Sequence, residues 1–338
     1  MNKKYLPLFA VVFLLALAGY YLMLRYQVFE PSETQEQVYT IGILRNPPSI
    51  DPAWAGFVDG MAAKGYQEGQ NVRYLIDEVG SDLPSTKEKV KKLVDRDIDM
   101  LYVMGNLAGR ASKEVTQEIK PELPVVFGVI SNPIAAGLAE SMQRPGKNIT
   151  GITPYNEVTV SKRLELFKEM LSGNLKRVIF AWFDPATTGI ENLRVAALAL
   201  NLELVEKRVQ NRNELQAFLE ELSFEQGDGI LRATDAISGS LVNEIIALSL
   251  EKKVPLSGTN SADAQAGALM SYGANYYKVG QQASRLAEAI LKGANPAEIP
   301  VELPDSFEFV INLKTANLLD LTIPEESLSK ATRIIFNE

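Results

Sequence analysis

The chain contains no cysteine and no histidine. These absences exclude disulfides, Cys/His metal sites, thiol nucleophiles, histidine-based triads and imidazole acid–base chemistry. They also exclude a lipid anchor carried on a cysteine, while remaining compatible with an oxidising compartment. No G-x-S-x-G, no P-loop and no G-x-G-x-x-G opening a helix is present, so three common enzyme signatures are missing. Basic residues are in deficit, 34 against 42 acidic ones. Without the first 29 residues, which hold Lys3, Lys4, Arg25 and no acid, the remainder carries 31 against 42. A body this acidic argues against nucleic acid as a partner, because phosphate contacts need clustered Lys and Arg. No internal repeat of 20 to 50 residues is found.

What is present is ordinary globular material: 338 residues, 46% hydrophobic and 22% charged, enough for two cored domains. The first 29 residues stand apart. Lys3-Lys4 precede an uncharged run from Tyr5 to Leu24 that closes at Arg25. Twenty residues at helical rise span roughly 30 Å, the thickness of a bilayer's hydrocarbon core. A membrane anchor is expected over residues 1–29, with the body outside the cytoplasm because the N-terminal lysines favour the inner face. The alternative is a signal peptide cleaved near Ala18, after Ala16-Leu17-Ala18; Tyr20 to Leu24 continue the apolar run past that point. Residues 30–37, EPSETQEQ from Glu30, read as a polar linker.

From Tyr39 onward, apolar runs of strand length alternate with helical periodicity. YTIGIL, MLYVM and VVFGVI read as buried strands. Trp54, Phe57, Val58 and Met61 recur at helical spacing after Asp51-Pro52, which reads as an N-cap followed by a proline at N1. Ser85-x-x-Glu88 reads as a capping box. The stretch Val125 to Ile152 reads as a strand, a turn at Ser131-Asn132-Pro133, a short helix holding Ile134 and Leu138, and the strand NITGI. The alternation restarts after it, with VIFAWF, then Asp184-Pro185, then a strand ending at Thr234-Asp235. A long helix is expected over Tyr276 to Lys292, and a strand over Phe307 to Leu313. Such alternation implies βαβ units and mostly parallel sheets, and two runs of it imply two lobes.

The segments GILRNPPSIDPAWAGFVDGM, GYQEGQNV, SNPIAAGL, RPGKNITGI, GANYYKVGQQASRLAEAILKGANPAEIPVE and FVINLKTANLLDLTIPEESL, in this order and spacing, resemble the substrate-binding proteins of ABC transporters. The resemblance is to the tryptophan- and tyrosine-binding branch and covers about Tyr39 to Ile335. It implies an α/β fold of periplasmic-binding-protein type I: two hinged Rossmann-like lobes, each a mostly parallel sheet flanked by helices, with ligand trapped between them. The lobes would comprise 38–153 plus 271–301, and 154–270 plus 302–338. Crossovers would lie near Thr153–Tyr155, Met270–Gly273 and Pro300–Pro304. The resemblance further implies a membrane permease as partner, no cofactor, no catalysis and a monomer.

Open α/β sheets bind ligands at the carboxyl ends of their strands, and the family's ligand positions fall on the same loops. These are Asn46, Pro47, Asn106, Ser131 and Asn132 in the first lobe, Phe183, Asp184, Thr188, Thr234 and Asp235 in the second, and Tyr155 and Tyr272 near crossovers. A zwitterionic amino acid needs N–H and hydroxyl donors for its carboxylate and an acidic or carbonyl acceptor for its ammonium; Asp235 is the expected ammonium partner. Each position also has a plainer reading. Asp235 could cap the next helix, Asn132 could form a turn before Pro133, Asp184-Pro185 could start a helix, and the aromatics could be packing. The chain departs from the family pattern at Asn132, Asn106, Arg110, Gly189 and Ile190, which leaves the ligand open. Beside transport of an amino acid, aromatic or branched, two other readings stand: a ligand-sensing receptor component, and an α/β enzyme using Asp184 and Asp235.

Overall fold

The computed structural model describes residues 6–27, 37–45, 51–80, 82–183 and 189–336. Residues Met1–Val38 and Tyr39–Glu338 form separate compact units. In the first, a helix runs over Leu6–Gln27, with side chains described only at residues 13–23. Among the described residues no helix is long and apolar enough to cross a membrane. The anchor expected over residues 1–29 therefore gains no support from them.

The body holds two sheets. The first runs β2-β1-β3-β4-β5, formed by Val72–Glu78, Tyr39–Arg45, Met100–Met104, Val125–Gly128 and Ile149–Gly151, and all its pairings are parallel. The second runs β12-β11-β10-β9-β8-β6-β7. Its strands are β6 (Arg177–Trp182), β7 (Glu203–Arg208), β8 (Asp228–Leu231), β9 (Leu256–Gly258), β10 (Met270–Ala274), β11 (Phe307–Asn312) and β12 (Arg333–Ile335). Only β10 against β11 is antiparallel. Helices flank both sheets, the α/β lobe architecture expected from the alternation. Strands buried on both faces explain the unbroken apolar runs: every residue of β3 and β4 is buried.

Residues 271–274, expected in the first lobe, are hydrogen-bonded into the second sheet between β9 and β11. The chain leaves that sheet at Asn275 and enters the helix Tyr276–Leu291. This helix crosses the helix Asp51–Ala63 at glycines on both sides. A Cβ on Gly56 would lie 1.9 Å from Tyr277 O, and one on Gly280 would lie 2.0 Å from Ala53 O. Val279, Ala283 and Leu286 then share a core with Ile41, Phe57 and Met61. Phe57 stacks on Tyr102 with ring centroids 3.9 Å apart.

The other crossings lie side by side. Glu302 N donates to Gly151 O at 3.0 Å and Thr153 N donates to Glu302 O at 2.9 Å. Gln282, on the long helix, donates to Glu302 Oε2 at 2.8 Å and accepts from Asp305 N at 3.2 Å.

Three local expectations are corrected. The short helix after Ser131-Asn132-Pro133 does not form: residues 133–137 are turns. Asn132 Oδ1 takes the N–H groups of Ile134 and Ala135, and Gly137 at φ 67° turns the chain away. The helix Leu83–Val94 begins earlier than Ser85; Asp82 is its N-cap, and Ser85 is the reciprocal partner three residues in. Asp51 is the first residue of its helix, not a cap, and pairs with Arg45 at 2.9 Å.

Candidate ligand-binding cleft

In a parallel sheet all strand carboxyl ends fall on one edge. The helix Asp51–Ala63 follows the carboxyl end of β1, and the helix Tyr276–Leu291 follows that of β10. Because the first turn of the second helix touches Gly56 of the first, the carboxyl ends of the two sheets come together around Tyr276.

On the first lobe the structure joins several expected residues into one chain of contacts. Asn106 Oδ1 accepts from Ser131 N at 3.3 Å, Thr153 Oγ1 donates to Ser131 O at 3.2 Å, and Tyr155 N donates to Thr153 Oγ1 at 3.1 Å. Two residues here hold left-handed backbone, Val129 at φ 57° and Tyr155 at φ 47°. A β-branched residue there is strained, and strain of this kind gathers at functional sites. Ser131 and Asn132 are buried; Asn132 spends its side-chain oxygen on the local turn. Asn46 and Pro47 lie outside the described residues, as do Asp184 and Thr188.

On the second lobe Asp235 is the focus. It is the N-cap of the helix Ala236–Ser240, Oδ1 accepting from Ser238 N at 2.8 Å, and Oδ2 accepts from Phe183 N at 2.9 Å. The capping role is therefore real. The Ile237 N–H also bonds it, and since a carboxylate offers about four acceptor sites these three donors do not exhaust it. Burial raises its pKa, opposed by the hydrogen bonds from Ser238 and Phe183 and by the Arg232 charge. Thr234, beside it, is half-buried, while Phe183 is 37% exposed. Tyr272 is half-buried and stacks on Phe307 at 6.0 Å, so its ring already has an aromatic neighbour.

Beside Asp235 lies a buried polar cluster that sequence reasoning missed. Arg232 pairs with Asp263 through Nε at 3.0 Å and Nη2 at 2.8 Å, and its Nη1 donates to Ala233 O at 3.1 Å. Thr259 N donates to Asp263 Oδ2 at 2.6 Å. Tyr276, half-buried, bonds Asn260, and burial of its phenol raises the pKa. Arg163, 3% exposed, donates from Nη2 to Arg232 O at 2.7 Å. One signal was legible. Arg163 is three residues after Val160 and four before Phe167, which puts a cation on the apolar stripe of its helix. Likewise Arg232 directly follows the apolar strand GIL.

A separate groove of about 480 Å³ between the helices Arg212–Glu221 and Val242–Glu251 includes none of these strand-end residues. Among the described residues no acidic group forms a cluster able to hold a metal.

The sequence from residue 40 to residue 335 matches the family model described as ABC transporter substrate binding protein. The chain belongs to that family. Its members are extracytoplasmic solute-binding proteins rather than enzymes, and they bind small molecules for an ABC transporter. A tyrosine-binding protein of Clostridioides difficile is 28% identical over 277 residues, 81% of this chain and 78% of that protein. Among solved structures, the ABC domain from Streptococcus pneumonia in complex with L-Trp is 25% identical at a TM-score of 0.78, covering 88% of this chain and 100% of the other. A conserved domain protein from Vibrio cholerae is 26% identical at a TM-score of 0.77, covering 88% and 99%. Solute-binding proteins of Agrobacterium vitis bound to allitol and alpha-D-tagatopyranose align at only 12% and 10% identity and share the fold alone.

Proposed function

We propose that this substrate-binding protein captures an aromatic L-amino acid between its two lobes and delivers it to a membrane permease. One observation carries the reading. The carboxyl ends of both sheets meet at Tyr276, one bearing the linked Asn106, Ser131 and Thr153 and the other bearing Asp235 beside Arg163 and Arg232. Two relatives of 25–28% identity that bind tryptophan or tyrosine support the choice of ligand. Asp235 supplies the acceptor for the ammonium. Asn46, Pro47, Asn106, Ser131, Asn132, Tyr155, Phe183, Asp184, Thr188, Thr234 and Tyr272 complete the proposed set.

Ligand touches both lobes only when they are closed, so binding shifts the population toward the closed form that the permease reads. The lobes pivot on the crossings at Thr153, Asn275 and Glu302. The protein performs no chemistry on its ligand, acts as a monomer, and is held at the outer face of the membrane by residues 1–29. Isothermal calorimetry on the full chain with L-tryptophan, L-tyrosine, L-leucine and a neutral sugar tests the reading. Stoichiometric binding of an aromatic amino acid without turnover is expected; binding of the sugar alone would sink it.

A further inference from the structure

The second lobe holds two buried arginines within hydrogen-bond reach of each other's backbone or side chain, and their partners are unequal. Arg232 makes four bonds, to Asp263, Thr259 and Ala233 O. Among the described residues Arg163 has a single bond, to Arg232 O, and its Nε is a buried donor with no partner. No carboxylate forms an ion pair with it among the described residues. An arginine buried to 3% exposure without a direct ion-pair partner is costly, and such a group persists where something else repays it. The surroundings sharpen the mismatch. Burial pulls the Arg163 pKa down to about 9, the nearby Arg232 charge acts in the same direction, and Asp263 and Tyr276 oppose them only in part.

Its position gives that use a chemical form. Arg163 lies in the helix Asn156–Met170, directly after the crossing at Thr153–Tyr155, and reaches the carboxyl end of β8, three residues before Asp235. The hydroxyl of the half-buried Tyr276, on the helix packed on the first lobe, feels the Arg232 charge and, less strongly, that of Arg163. A guanidinium without a direct ion-pair partner, bonded to Arg232 O, and a carboxylate with spare acceptor capacity, that of Asp235, thus lie at one strand end. Those are the two opposite charges that a zwitterion presents. Guanidinium Nε and Nη form the planar pair that matches a carboxylate.

We propose that Arg163 receives the α-carboxylate of the ligand, with Asp235 on its ammonium, so that recognition of the acid group comes from the second lobe. This deepens the function proposed above and rests on it. It also accounts for why a buried cation in the second lobe is left without a protein carboxylate.

The test compares Arg163→Met and Arg163→Lys with the unaltered full chain, using L-tyrosine and tyramine, which differ only by the carboxylate. In the unaltered protein, L-tyrosine is expected to bind far more tightly than tyramine. Arg163→Met should weaken L-tyrosine by roughly 30-fold or more while leaving tyramine within about 2-fold. Arg163→Lys, which keeps the charge but not the fork, should fall between. The midpoint of thermal unfolding without ligand should be unchanged or raised in Arg163→Met, because an uncompensated buried charge has been replaced by an apolar chain. Equal weakening of both ligands, no weakening of either, or a fall in the ligand-free midpoint would assign Arg163 a structural role and overturn the proposal. Should the unaltered protein take L-leucine in place of aromatic amino acids, the proposed function fails in its ligand. The comparison of leucine with isoamylamine, its decarboxylated counterpart, then decides Arg163 by the same criterion.

Discussion

Asp235 does two things that a substitution can separate. Its oxygens hold Ser238 N and Phe183 N, which is structural, and its charge is available to an ammonium. Asp235→Asn keeps an oxygen for the cap but removes the charge. Affinity for the amino acid should fall by about 2–5 kcal/mol, the cost of removing one partner of a buried charge pair, and ligand-free stability by about 1–3 kcal/mol, because an amide has one oxygen for the two donors Ser238 N and Phe183 N; calorimetry and urea unfolding measure the two. Asp235→Ala should lose both, adding about 0.5–2 kcal/mol of destabilisation from the missing cap. The sign of the pH effect follows from burial. The folded pKa lies above the unfolded value of about 3.9, so the folded state holds this proton more firmly. The contribution of Asp235 to stability is therefore greatest below the unfolded pKa and declines as pH rises through the window up to the folded one. Ligand binding runs the opposite way, since an ammonium needs the ionised form: dissociation constants measured from neutral pH downward should rise as Asp235 takes its proton. With no histidine in the chain, no imidazole titration obscures this profile.

Among the elements, the crossing of the helices Asp51–Ala63 and Tyr276–Leu291 is the least tolerant of change. Backbone meets backbone at Gly56 and Gly280, where an added Cβ would stand about 2 Å from a carbonyl oxygen. Gly280→Ala should lower unfolding free energy by about 1–3 kcal/mol or more through overpacking, read by chemical denaturation. The same shift would move Tyr276, so affinity should drop with stability. An exposed glycine such as Gly19, with nothing within 4 Å, should accept alanine without effect on the body. At this scale the sequence was informative but not sufficient. MLYVM gives a strand at Met100–Met104, as its apolar run predicts. The apolar spacing of Ile134 and Leu138 suggested a helix, yet Asn132 and Gly137 close the segment into turns, because local side-chain bonds to the backbone outcompete a helix this short.

For the molecule as a whole, two sheets whose chain crosses between them at Thr153, Asn275 and Glu302 are built to move about few points. Saturating L-tryptophan or L-tyrosine at 100 times the dissociation constant should stabilise the full chain by about 2.7 kcal/mol, seen as a raised thermal midpoint. Small-angle scattering should show a smaller radius of gyration with ligand than without it. An unchanged radius with a raised midpoint would favour binding without lobe closure. The fold was largely legible beforehand: alternation of strand and helix named two parallel-sheet lobes, and the resemblance spread over Tyr39 to Ile335 named the family. The candidate site was only half legible. Asn106, Ser131 and Asp235 follow strands and can be found by position, whereas Arg163 and Arg232 come from a helix and a strand 69 residues apart.

Composition alone removed the cysteine and histidine chemistries, and hydrophobic period alone distinguished strands from helices, since both depend on residues near one another in the chain. The placement of β10 in the second sheet, the glycine contact that joins the two helices, and the pairing that gives Arg232 its carboxylate while leaving Arg163 without an ion-pair partner among the described residues were decided by tertiary structure. They depend on which distant segments exclude water together, and no local pattern encodes that.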